Sequence, residues 1–228
     1  MLRDKLIELK KTLIDQSILV EKMIEQSFQG LIRNNPVLLK EIMIMEKQVN
    51  LKEIEIEQNC TNIMALYHPE ARDLRSVLMM LSMNKDLERM ADLAQDNACS
   101  ALFLLKNPCL RTMIDLAAMA QKAIRMLRES ITAFINEDPA LAEQVCRLDD
   151  EVDELKIKIF KTLLTEILPD KISLESAFHL NNIAQNLEKI ADLSTNLAED
   201  TVFIARGIIV KHNITRDIES GGITCGKQ

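Results

Sequence analysis

Two carboxylates four residues apart, Glu88 and Asp92, recur one hundred residues later as Glu188 and Asp192. They sit in matching stretches, DLERMADLAQDNA from Asp86 and NLEKIADLSTNLA from Asn186, identical at six of thirteen positions. On an α-helix, residues four apart lie one above the other. Like charges so placed repel by roughly 0.2–0.5 kcal/mol per pair. Setting this repulsion up twice in one register is the behaviour of a chain that holds a cation there. One turn further on each copy come Asp96 and Asn196. Each copy therefore offers a ridge of three oxygen-bearing side chains.

The helix that carries the first ridge also fixes where it faces. With Leu87 at the origin, Met90, Ala91, Ala94, Ala98, Ala101, Leu102 and Leu105 cluster within about 60° of it at about 100° per residue. Glu88, Asp92 and Asp96 then fall near about 100°, 140° and 180°. The ridge borders the core stripe and drifts outward, which places the site on a bundle surface. The plainer alternative is a solvated face: Lys85 and Arg89 stand three residues before Glu88 and Asp92. Duplication in register argues against it, because a solvated face has no need to repeat.

Whole-chain numbers narrow the chemistry. The 228 residues are 47% hydrophobic and 28% charged, with no Trp, one Tyr, five Gly and five Pro. No glycine occurs between Leu31 and Arg206. Abundant Leu, Met, Ala, Glu and Lys with few aromatics point to an all-α fold. A net charge of −7 argues against nucleic acid as a ligand, since phosphate backbones need a basic footprint. Five scattered cysteines without a C-x-x-C spacing read as reduced thiols. The opening MLRDKLIELKK is not an apolar signal segment, and no apolar run reaches a membrane-spanning length. A cytoplasmic protein is expected.

Five prolines supply the punctuation, because proline is tolerated at helix starts and disfavoured inside them. Pro36, Pro69, Pro108, Pro139 and Pro169 divide the chain into six helices at roughly 3–34, 37–67, 70–106, 110–136, 139–168 and 171–206. Asn35-Pro36 and Asp138-Pro139 mark equivalent boundaries, as do Pro69 and Pro169. The chain is thus a tandem repeat of a three-helix unit, 1–107 and 108–212, with a Gly-rich tail over 213–228. The first and fourth helices are amphipathic scaffold. The second carries a polar row of Glu46, Asn50, Glu53 and Glu57, and the fifth has Asp149 and Asp153 at the positions of Glu46 and Asn50. Antiparallel neighbours could bring these rows beside the ridges of the third and sixth helices. Oxygen ligands alone suit a hard ion such as Ca²⁺, Mg²⁺, Mn²⁺ or Fe.

Other chemistry is missing from the sequence. His68, His179 and His212 are isolated, and none has a Glu three residues before it, so the Glu-x-x-His of di-iron oxidases is absent. There is no H-E-x-x-H, G-x-S-x-G or phosphate-cradling glycine loop, and no catalytic residue is assigned. Arg72 and Arg75, one turn apart, are expected in salt bridges, with an anion or partner contact as the alternative.

The stretch ARDLRSVLMMLSMNKDLERMADLAQDNA resembles the signature helix of the PhoU family, in which Asp-Leu-Arg is followed by Leu-Glu-Arg-Ile-Gly-Asp and Asn-Ile-Ala. NLEKIADLSTNLAEDTVFIARGIIVKH resembles that family's final helix, closing on Gly-x-x-Val-x-His. The resemblance spans about residues 1–212. It implies two tandem antiparallel three-helix bundles related by a pseudo-two-fold axis. It also implies divalent or trivalent metal ions or clusters (Fe, Mn, Mg or Zn) on the carboxylate ridges. Glu88, Asp92, Glu188 and Asp192 take that role by motif. Glu46, Asn50, Asp149 and Asp153 stand at the family's Asp-x-x-x-Asn/Asp motif on the second helix of each unit. The chain departs from the pattern at Ala91 and Ala191, where Gly is frequent, at Lys189, where Arg is frequent, and at Glu46 and Asn50.

Members act as non-enzymatic cytoplasmic adaptors between the phosphate ABC transporter's ATPase and a sensor histidine kinase. They repress the phosphate-starvation response, and many form homodimers. The competing expectations are a metalloenzyme with a surface multinuclear centre, and a purely structural helical bundle.

Overall fold

A computed structural model describes residues 1–106, 113–167 and 172–209. Six helices follow one another: α1 (Leu2–Ile32), α2 (Pro36–Tyr67), α3 (Ala71–Leu104), α4 (Met113–Asn136), α5 (Pro139–Ile167) and α6 (Leu174–Arg206). The described residues contain no strand, and the fold is all-α as the composition requires. The starts expected at 110 and 171, the junction at 107–108, the two cysteines Cys109 and Cys225, and the tail lie outside the described residues.

Local chemistry sets the boundaries. Asn35 caps α2, its Oδ1 accepting from the amides of Val37 at 3.0 Å and Leu38 at 3.4 Å, with Pro36 as the first helical residue. Asp138 repeats the device for α5, its Oδ1 accepting from Ala140 at 2.9 Å and Leu141 at 3.1 Å ahead of the same proline position. Before each cap the chain turns through a left-handed residue, Asn34 and Glu137, both at φ 51°. Ser173 Oγ caps α6 by accepting from the Ser176 amide, and Gly207 ends it at φ 71°.

Each unit packs its three helices against one another, and α3 with α6 and α1 with α4 join the units. One hydrophobic cluster runs through both, from Leu9, Leu13 and Ile24 to Leu116, Leu187 and Ile204. Most of the methionines that fill it are fully enclosed, among them Met23, Met83, Met90, Met119 and Met126. α3 and α6 run antiparallel: Arg75 lies over Phe203, Asn186 Nδ2 donates to Asn97 Oδ1 at 3.0 Å, and Phe103 stacks on His179 at 4.2 Å. Ascending one helix thus descends the other. Ala91 and Ala191 are wholly buried near the middle.

Polar links reinforce the junction at its rim. Lys10 Nζ donates to the carbonyl of Ile135 at 3.0 Å, and Arg128 pairs with Glu21 at 2.5 Å. Arg72 pairs with Glu137 at the end of α4, while the Arg75 guanidinium lies against Gly207. Arg72 and Arg75 at the start of α3 therefore tie the first unit to the second.

The two matched caps should be matched in strength. Asn35→Ala and Asp138→Ala should each lower unfolding free energy by about 1 kcal/mol in urea denaturation. Equal stability of either variant and the unaltered protein would contradict the capping geometry.

Candidate metal centre

The register between α2 and α3 decides which rows meet. Asn84 Nδ2 donates to the Glu53 carbonyl at 3.1 Å, Cys60 Sγ to the Val77 carbonyl at 3.9 Å, and Gln95 Nε2 to Met43 Sδ at 3.2 Å. These contacts fix an antiparallel seam in which Glu46 comes level with Asp92 and Asn50 with Glu88. The rows expected from sequence to lie side by side do so. Exposure rises outward along the α3 ridge: Glu88 and Asp92 are half-buried and Asp96 is exposed.

The charges on this seam feel one another. Burial raises the Glu88 pKa above the usual carboxylate value, and Asp92, Glu53 and Glu46 add to the effect by like charge. Asp92 is raised by burial too, with Glu46 and Asp96 adding and Arg89 opposing. Glu53 is raised by burial, then by Glu57 and Asp92, with Lys85 opposing. Arg89 reaches Asp92 only loosely, at 3.8 Å on an exposed face.

One atom on the seam has no protein partner. Asn50 Nδ2 donates to Glu46 Oε1 at 2.6 Å, which leaves Asn50 Oδ1 buried and accepting no hydrogen bond. A buried acceptor without a donor is costly, of order 1–3 kcal/mol. A hard cation satisfies a carbonyl oxygen and neighbouring carboxylates together. The donor set Glu46, Asn50, Glu53, Glu88 and Asp92 fits such an ion. Among the described residues no three His, Cys, Asp or Glu side chains converge closely enough to hold a metal as they stand. Ligation requires the carboxylates to swing inward about their own torsions.

The second unit repeats the placement with a difference. Asp149 and Asp153 on α5 face Asp192 and Glu188 on α6. Burial, followed by the charges of Asp192, Asp153, Asp150 and Glu188, raises Asp149 to about 6. Asp192 is raised by burial, Glu188 and Asp153, and pulled down by Lys156. Lys156 is the difference: its Nζ donates to Glu188 Oε1 at 2.6 Å, and that bond raises the lysine's own pKa. Asn196 lies half-buried one turn beyond Asp192. The carboxylate donors here fit a hard ion by type, yet an ammonium already stands among them.

Sequence reasoning singled out the α5 acids and passed over Lys156. The signal was available: the spacing that aligns Glu46 with Asp149 and Asn50 with Asp153 aligns Glu53 with Lys156. Glu53 was visible as part of the α2 row, but only the seam register shows that it reaches Glu88 and Asp92.

With this geometry in view, the comparison with known proteins is decisive. A family model described as the PhoU domain matches twice, at residues 14–101 and 116–201. This chain belongs to the PhoU family. It is 35% identical over 208 residues to the phosphate-specific transport system accessory protein PhoU homolog of Aquifex aeolicus, covering 91% of this chain and 94% of that one. A Thermotoga maritima PhoU homolog, number 2, is 30% identical over 207 residues, covering 91% and 88%. The crystal structure of PhoU from Pseudomonas aeruginosa superposes with a TM-score of 0.88 at 26% identity, covering 91% of this chain and all of that one. That of the phosphate transport system regulatory protein PhoU from Streptococcus pneumoniae gives 0.86 at 24% identity, a likeness of fold. The two PhoU repeats fall on the two bundles, and each contains one carboxylate seam.

The raised Asp149 carries a pH signature. A carboxyl whose folded pKa exceeds its unfolded value binds protons more tightly when folded, so its stabilising contribution is present at low pH and lost as pH rises from about 4 to about 6. In protein stripped of metal with chelator, Asp149→Asn should raise Tm at pH 7 and change it little near pH 4. A Tm gain equal at both pH values would contradict the assignment.

Proposed function

We propose that this protein is a non-enzymatic, cytoplasmic, metal-binding adaptor of phosphate uptake. It couples the ATPase of a phosphate ABC transporter to a sensor histidine kinase and holds down the phosphate-starvation response when phosphate is plentiful. The observation that carries this reading is the nearly full-length match to relatives named as accessory proteins of the phosphate-specific transport system. Among the described residues no helix is long and apolar enough to cross a membrane, which agrees with contact to a transporter through its peripheral subunit.

The physical design supports such a role. Six helices of 24 to 34 residues make a stiff body, about 50 Å long along α3 at 1.5 Å per residue. The carboxylate seams lie at its surface, where an ion held by Glu88 and Asp92 with Glu46, Asn50 and Glu53 would fix α2 against α3. A metal ion bound there supplies concentrated positive charge on a face that is otherwise acidic. The α2 and α3 side chains orient the site, and the buried Asn50 carbonyl oxygen gives it a neutral ligand beside the charged ones. A homodimer, the other expectation from family resemblance, would present these faces twice.

Deletion of the gene in the source organism, grown in high phosphate, should switch on a phosphate-starvation reporter. Restoring the intact gene should silence it again. A reporter that stays silent in the deletion strain would overturn the repressing role.

A further inference from the structure

Residues 53 and 156 hold equivalent positions in the sequence repeat, and the side chains there carry opposite charge. On α2 the row facing the ridge is Glu46, Asn50, Glu53 and Glu57; on α5 it is Asp149, Asp153, Lys156 and Phe160. The first row has three carboxylates and no cation. The second has two carboxylates and an ammonium.

That ammonium is engaged. Lys156 Nζ lies 2.6 Å from Glu188 Oε1, with the lysine 35% and the glutamate 17% exposed. It also interacts with Asp153 and Asp192, two further acids of the seam. Phe160, in place of Glu57, is half-exposed and removes a further potential ligand. In the first unit the nearest cations come from outside the facing row: Lys85 acts on Glu53, and Arg89 stands 3.8 Å from Asp92. The buried Asn50 Oδ1 remains without a donor there.

We propose that Lys156 is the built-in counter-ion of the second seam, taking the place of a metal, so that the protein loads metal in its first unit alone. This rests on the metal reading of the first seam given above. A tethered ammonium on Glu188 occupies one of the ridge's ligands and repels an incoming cation. The second unit then holds its α5–α6 seam together at every metal concentration, and only the first responds to metal supply. The family's duplicated motif has become one switchable site and one fixed one.

Mn²⁺, a hard cation suited to oxygen ligands, is the probe. Metal-stripped full-length protein is titrated with Mn²⁺, and the free ion is counted by electron paramagnetic resonance. Glu88→Gln with Asp92→Asn should weaken binding by more than about tenfold, whereas Glu188→Gln with Asp192→Asn should leave it within about twofold. Lys156→Glu should add a second class of site, and Glu53→Lys should abolish the first. Equal loss from the two double variants, or a Lys156→Glu protein that gains no site, would overturn the proposal. Melting in chelator separates it from the metal reading on which it rests. There Glu53→Lys should raise Tm and Lys156→Glu should lower it. If the unaltered protein takes up no Mn²⁺, the metal reading falls, and these two Tm shifts decide the counter-ion role: opposite shifts in that sense uphold it, and any other pair overturns it.

Discussion

Like charges held face to face by a rigid helical register are the constraint on which this structure turns. The α2–α3 seam is fixed along its length by contacts at Cys60, Asn84 and Gln95, so Glu46, Glu53, Glu88 and Asp92 cannot separate by sliding. Burial and mutual repulsion push the pKa values of Glu53, Glu88 and Asp92 upward together. Such a cluster can be neutralised by protons, by a metal, or by a cationic side chain. The first unit has no cationic side chain within its facing row. The second has Lys156.

The hydrophobic scaffold makes this arrangement tolerable. The buried cluster passes without a break from one bundle to the other, and α3 and α6, which carry the ridges, are also the helices that join the bundles. Core burial therefore sets the positions of the ridges, and their repulsion works against packing that includes Leu87, Met90, Leu187 and Ile190, all nearly or wholly enclosed. Arg72 with Glu137, Lys10 with the Ile135 carbonyl, and Arg128 with Glu21 pin the units at the rim.

Much of this was legible in the chain itself. Proline positions located the helices, because the ring's fixed geometry admits it at a helix start; Asn35-Pro36 and Asp138-Pro139 became matched caps. The repeat of Glu88 and Asp92 at Glu188 and Asp192 survives in sequence because helical spacing is local. Links between distant helices leave no such local trace. The pairing of Asn97 with Asn186, the stacking of Phe103 on His179, and the reach of Arg72 to Glu137 depend on how whole helices pack. Lys156 lies between these cases. Its alignment with Glu53 is visible in the repeat, but its bond to Glu188 depends on the α5–α6 register. Sequence motifs pointed to departures from the family pattern in both units, at Glu46, Asn50 and Ala91 in the first and at Lys189 and Ala191 in the second. The placed side chains add what the motifs did not show, a lysine on α5 bonded to the second ridge at Glu188.

The most direct test is anomalous diffraction from crystals grown with Mn²⁺. The account predicts a peak between α2 and α3 beside Glu88 and Asp92, and none between α5 and α6. A peak of comparable height beside Glu188 and Asp192, or none beside Glu88, would contradict it.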